Sequence, residues 1–216
     1  MGVKGINGFA EMTGIILSGG KNRRMGENKA FLKVQGERLI DRTVRIFKGI
    51  FEEVVVVTND PLVYLDQDVM IVTDIVSGKG PLGGIYSGLF FSSFPCSFVA
   101  ACDMPFLNRS FLEYMASRAT GYDIVVPAPP DGLQPLHAVY SRRCLPAIRD
   151  LLEKKRLKIT GFYPGHKLRT ISPEILRSFD PEGRMFMNVN TPEDILKLPS
   201  LSGRGGVPKL DIPGGM

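Results

Sequence analysis

The chain has 216 residues, 44% of them hydrophobic and 23% charged, with 27 Lys and Arg against 22 Asp and Glu and a net charge of +5. That length supports one sizeable hydrophobic core, and the ordinary globular balance excludes a fibrous or disordered chain. No apolar stretch approaches the roughly 18 residues that cross a membrane, the lack of Trp removes an obvious stacking platform for single-stranded nucleic acid, and the basic residues are scattered, so neither membrane nor nucleic acid is expected as a partner.

Residues 1–12 read as a loose leader without an extended apolar run, so no secretory signal is expected. Residues 13–20 (TGIILSGG) read as a buried strand built on Ile15, Ile16 and Leu17 and ended by Gly19 and Gly20. A polar, glycine-punctuated stretch follows over 21–36. Residues 37–51 then place Leu39, Ile40, Val44, Ile46 and Phe47 three to four apart, the pattern of an amphipathic helix. The consecutive valines at 54–57 predict a strand buried on both faces, stopped by Asn59, Asp60 and Pro61. Further strands are predicted at 69–74, 96–103 and 122–128, with helices at 83–93 and 109–120 between them. Residues 135–154 predict a strand and then a helix, and another strand falls near 167–171. Residues 185–198 predict a short strand, a turn and a terminal helix with Thr191 as N-cap, Pro192 in the first position and Glu193 and Asp194 in the first turn. The Gly- and Pro-rich residues 200–216 have little to bury and are expected to form a mobile tail. Alternating buried strands and helices predict one α/β domain over 13–199, with a mostly parallel sheet covered on both faces.

Open α/β sheets bind ligands beyond the carboxyl ends of their strands, and four such loops carry unusual residues. Gly19 and Gly20 let a ligand approach the backbone of 18–32 closely. Arg23, Arg24 and Lys29 add cations on the same connection, a combination suited to phosphate oxygens. A solvated basic loop is the plain alternative, and neither GxxxxGK[ST] nor GxGxxG is present. Asp103 in AACDMPF follows an apolar strand and could hold Mg²⁺; it could equally be a turn residue ahead of Pro105. Asp74 precedes the glycine loop of Gly78, Gly80, Gly83 and Gly84, against which a base or ribose could lie. A carboxylate there could accept from the N–H edge of guanine, or it could serve only as a turn. Asn188 and Asn190 alternate with apolar neighbours and could face one side of a short strand toward a ligand, although Asn190 also suits a helix cap. His137 could contact a second substrate, but a single histidine among apolar residues is more often packed in the core. Cys96, Cys102 and Cys144 form no CxxC pair, which fits a reducing cytoplasm. With two histidines there is little material for a zinc site.

The segments GIILSGGKNRRMGENKAFLKVQG, TDIVSGKGPLGGIYSGL, VAACDMPFL, PLHAVYS and NVNTPEDI occur in one order over residues 13–197. Together they resemble the molybdenum cofactor guanylyltransferases, within the nucleotidyltransferase superfamily. The resemblance implies a Rossmann-like three-layer α/β/α sandwich, with Mg-GTP and molybdopterin or molybdenum cofactor as substrates. It implies transfer of GMP to the terminal phosphate of the pterin with release of pyrophosphate, and transient contact with cofactor-donating and cofactor-receiving molybdoenzyme proteins. By position, Leu17, Ser18, Gly19 and Gly20 match the segment that meets guanine and phosphates. Lys29 matches the phosphate-binding lysine, Asn59 and Asp74 match positions near guanine or ribose, Asp103 matches the magnesium ligand, and Asn188 and Asn190 match the pterin end. Two positions depart from the family pattern: Ser18 stands where Ala is usual, and Asn28 where Asp is usual, which removes a negative charge beside Lys29.

The expected chemistry is attack of the ionised pterin phosphate on the α-phosphorus of GTP. Asp103, Lys29 and Arg23 or Arg24 carry the electrostatics, and no strong general base is needed. A cytidylyltransferase acting on the same pterin or on a polyol or sugar phosphate would use the same phosphate loop, as would a noncatalytic nucleotide-binding homologue. The base pocket and the presence of Lys29 and Asp103 separate these possibilities.

Overall fold

The computed structural model describes residues 10–19, 29–189 and 191–196. In chain order the strands are β1 (Ala10–Leu17), the short pair β2 (Lys33–Val34) and β3 (Glu37–Arg38), β4 (Phe51–Val57), β5 (Met70–Val72), β6 (Cys96–Ala101), β7 (Ile124–Pro127), β8 (His137–Ser141) and β9 (Leu168–Ile171). The helices are α1 (Leu39–Lys48), α2 (Gly80–Phe91), α3 (Arg109–Ser117), α4 (Leu145–Glu153), α5 (Pro173–Phe179) and α6 (Pro192–Leu196).

Seven strands pair in the order β5-β4-β1-β6-β8-β7-β9. All run one way except β8, which is antiparallel to β6 and to β7. The reversal follows from the connection: residues 128–136 contain no helix, and so short a loop joins antiparallel neighbours. Alternate residues of each strand feed two cores, because side chains change face at every step. Ile16, Val56, Phe98 and Val139 meet α1 and α3 on one side. Ile15, Val55, Val57, Val99 and Tyr140 meet α2 and α4 on the other. The result is the mostly parallel three-layer sandwich expected. Helix α1 buries Leu39, Ile40, Val44 and Phe47 on one stripe, whereas α2 is apolar nearly all round and lies deep. Gly88 permits that depth, since a Cβ there would stand 2.6 Å from Ile15 Cγ2.

Several boundaries differ from the sequence expectation. Strand β1 begins at Ala10, inside the expected leader, because the Ala10 N–H donates to Ile50 O at 2.8 Å and Met12 is buried. Residues 1–9 and 200–216, the rest of the expected leader and the expected tail, lie outside the described residues. The polar stretch ahead of α1 holds the β2–β3 hairpin, turned at Gln35 and Gly36, both at positive φ. Helix α5 was not expected, although Pro173 and Glu174 at its start are ordinary helix-opening residues. Residues 185–189 do not form the expected strand. They run across the strand ends instead, joined there by the Val189 N–H donating to the Asp103 carbonyl at 2.8 Å. Thr191 does cap α6: its hydroxyl accepts from the Asp194 N–H, and the Asp194 carboxylate accepts from the Thr191 N–H.

Candidate functional site

The order of the sheet determines where a ligand can lie. From β1 the chain moves outward to β4 and β5, then returns to place β6 on the other side of β1. The crossovers on the two sides of β1 therefore leave a crevice at the carboxyl ends of β1 and β6. Leu17 is the last residue of β1 and pairs with Val57 on one side and Ala101 on the other. The crevice floor is thus residues 17–19, flanked by Thr58 and Asn59 after β4 and by Cys102 and Asp103 after β6.

Asp103 is partly buried, and its Oδ1 is enclosed without a hydrogen-bond partner among the described residues. Burial pushes its pKa above the usual carboxylate range, while the Lys29 charge and a backbone N–H pull it down. Lys29, at the start of a short 3₁₀ turn over Lys29–Phe31, therefore acts electrostatically on Asp103 across the crevice. That turn is held by a small core of Leu32, Val34, Leu39 and Val189, so Lys29 and the segment carrying Asn188 share one support.

Asn59 and Asp74 meet at the ends of β4 and β5. The Asn59 Nδ2 donates to Asp74 Oδ2 at 2.8 Å, and the Asp74 N–H approaches Asn59 Oδ1 at 3.4 Å. This bond fixes the carboxylate and leaves it further acceptor capacity, since a carboxylate offers about four lone-pair sites. The next residue is latched by Ser87, a residue the sequence reading missed. Its buried hydroxyl accepts from the Ile75 N–H and donates to Gly83 O, both at 2.9 Å. A hydroxyl within an otherwise apolar helix was the available signal, because a buried polar group needs partners. Gly83 itself is buried beneath Lys79 and Val76 and supports the loop from below.

Asn188 is exposed and lies between two features. Val189 joins the end of β6, and Met187 lines an open cleft of about 450 Å³ formed with Pro129, Pro130, Gln134, Leu176 and Phe186. His137, expected as a possible contact for the second substrate, is not in that cleft. Its side chain is fully buried, stacked on Phe111 and edge-on to Phe98 and Phe186. Neither ring nitrogen has a partner among the described residues, and burial pushes its pKa down to about 3. Gly20, Arg23, Arg24, Asn28 and Asn190 lie outside the described residues.

The histidine makes a prediction about stability. Its folded pKa lies below the unfolded value of 6.5, so the unfolded chain takes up the proton first. Stability is fully present above pH 6.5 and is lost as pH falls below it, by up to about 1.4 kcal/mol per unit. His137→Leu should raise stability at pH 7 by about 1–3 kcal/mol, because two unpaired nitrogens leave the core. It should also flatten the decline between pH 6.5 and 5. Urea unfolding of both proteins at pH 7 and 5 measures this; parallel pH profiles would contradict it.

Residues 14–163 match the model of a family described as the MobA-like NTP transferase domain. The chain is 40% identical over 187 residues to a protein of Pelotomaculum thermopropionicum named "probable molybdenum cofactor guanylyltransferase", covering 87% of this chain and 91% of that one. It is also 40% identical over 188 residues to the molybdenum cofactor guanylyltransferase of Desulfosudis oleivorans, covering 86% and 93%. Among solved structures, the fold is similar to molybdopterin-guanine dinucleotide biosynthesis protein A of Archaeoglobus fulgidus, with TM-score 0.74 and 27% identity over 86% of this chain and 96% of that one.

Proposed function

Because the chain belongs to the MobA-like NTP transferase domain family, and is a nucleotidyltransferase of molybdenum cofactor biosynthesis, we propose that it transfers GMP from GTP to the terminal phosphate of molybdopterin. One P–O bond forms between that phosphate and the α-phosphorus, the α–β bridging P–O bond breaks, and pyrophosphate leaves. The observation that carries this reading is the enclosed oxygen of Asp103 at the β1–β6 crevice, unpartnered among the described residues, with the Lys29 charge acting on it.

That oxygen also fits Mg²⁺. No group of three or more His, Cys, Asp or Glu that could hold a metal occurs among the described residues. A single carboxylate is nonetheless sufficient for a cation whose other ligands are waters and substrate phosphates. When bound, Mg²⁺ supplies neutralisation of triphosphate charge. The protein's own groups do the rest. The backbone of residues 17–20 receives the nucleotide, Lys29 attracts the phosphates as a point charge, and Arg23 and Arg24 extend that charge along the loop. Asp74, oriented by Asn59, accepts from the guanine edge or the ribose. The incoming pterin phosphate is already ionised, so positioning and electrostatics suffice without a general base. The cleft that Met187 lines beside Asn188 is large enough for the pterin ring system. Transient contact with the proteins that deliver and receive the cofactor fits such an open site. Among the described residues no helix is long and apolar enough to cross a membrane, and the free cysteines suit a cytoplasmic enzyme.

Calorimetric titration of GTP, CTP, ATP and UTP with Mg²⁺, followed by pyrophosphate release with molybdopterin, tests the reading. GTP should bind best and alone support rapid release; a CTP preference would make the protein a cytidylyltransferase. Asp74→Asn should reduce the GTP-to-ATP affinity ratio about tenfold or more, since an unpaired buried hydrogen-bonding group costs about 1–3 kcal/mol. An unchanged ratio in a folded variant would remove Asp74 from base recognition.

A further inference from the structure

Residues 18 and 31 bracket the basic loop at its two ends, and one side chain touches both. Tyr64 ends the short 3₁₀ turn Pro61–Tyr64 between β4 and β5. The turn is otherwise a surface feature, with Leu62 74% and Val63 42% exposed, and Leu65 just after it is 72% exposed; Tyr64 alone is fully buried. Its hydroxyl lies 2.7 Å from Ser18 Oγ, and the Ser18 hydroxyl in turn donates to Cys102 Sγ at 3.2 Å. With the Ser18 proton directed to Cys102, the Tyr64 hydroxyl donates to residue 18, to its Oγ at 2.7 Å and more weakly to its carbonyl at 3.5 Å. The Tyr64 ring packs on Phe31 with centroids 5.2 Å apart, two residues beyond Lys29. The sheet-end side of this chain of contacts terminates beside Asp103, since Cys102 precedes it.

Resting on the reading of the crevice as the GTP site, we infer that Tyr64 is a positioning residue for the triphosphate. It pins the start of the loop through Ser18 and its end through Phe31, and so sets the placement of Lys29 relative to Asp103. The geometry also explains why a serine is accommodated at position 18. Its side chain is 2% exposed and points beneath the turn, where a buried hydroxyl needs both a donor and an acceptor, and Tyr64 and Cys102 supply them. Tyr64 touches no reacting atom in this account; it acts through the two loop ends.

The test uses the full chain and five proteins: wild type, Tyr64→Phe, Tyr64→Leu, Ser18→Ala and the double variant Tyr64→Phe with Ser18→Ala. Mg-GTP affinity by calorimetry and the split between KM for GTP and kcat are the readouts. Tyr64→Phe keeps the ring on Phe31 and should raise Kd and KM about threefold to tenfold with kcat within twofold. Tyr64→Leu loses both contacts and should raise them further. In the Ser18→Ala background Tyr64→Phe should cost less than it does alone, because the Ser18 hydroxyl is gone while the carbonyl of residue 18 still accepts from Tyr64. Lowered thermal stability with unchanged Kd and KM in both single Tyr64 variants would overturn the inference, as would additive effects in the double variant. If wild type itself fails to bind Mg-GTP, the functional reading of the crevice fails first, and the two failures are distinguishable.

Discussion

Asp103→Ala should lower turnover by about a thousandfold or more while the protein remains folded and becomes slightly more stable. The two halves of this result have one cause. The Asp103 side chain ends in an oxygen that is enclosed and unpartnered among the described residues, and burial raises its pKa. A carboxylic acid with a raised folded pKa binds its proton more tightly in the folded state, so its contribution to stability declines as pH rises past the unfolded pKa. At neutral pH the ionised group is a cost that a bound nucleotide and its metal would relieve, which is typical of strain kept at functional sites. Removing one preorganised group aimed at developing charge costs about a hundredfold to a thousandfold in other enzymes, and here the same group also anchors the metal. The backbone role of Asp103, accepting from the Val189 N–H, survives the substitution. The expected outcome is therefore turnover near background at matched Mg²⁺, with a melting temperature equal to or a few degrees above wild type. Turnover within about tenfold of wild type would show that the metal is held elsewhere.

Lys29→Ala should weaken Mg-GTP binding about 10-fold to 100-fold and leave guanosine affinity within about twofold of wild type. A charge-assisted hydrogen bond contributes about 1.5–3 kcal/mol, which corresponds to that range. The selectivity of the loss is the informative part, because an ammonium recognises phosphate as a point charge and offers nothing specific to the base. Lys29→Arg should recover part of the affinity, since charge is kept while reach and shape change. Calorimetry with GTP, GDP and guanosine measures the difference. Equal losses for GTP and guanosine would place Lys29 outside the phosphate site.

Much of this site could be read from residue order alone. The strand-then-glycine pattern at 13–20, the four valines before Asn59, and the apolar run into Asp103 each predict a buried strand with a polar residue at its carboxyl end, and all three strands form. Residue order also determines which of them end in chemistry, because a parallel sheet presents every carboxyl end on the same edge. Three-dimensional packing decided what periodicity does not encode. Residues 185–189 read as a short strand, yet the segment crosses the strand ends instead, where its Val189 N–H donates to the Asp103 carbonyl. His137 sits in a motif that looks chemical, but β8 runs antiparallel between β6 and β7, and its alternation turns the ring into Phe98 and Phe111. Tyr64 was illegible for the complementary reason: it lies in a segment of ordinary composition and acquires its role from a partner far away in the chain. Local sequence set the strands, the helices and the side chains offered at each strand end. Which of those side chains meet, and which are sealed in the core, depended on sheet order and strand direction, because those alone bring residues distant in sequence within hydrogen-bonding range.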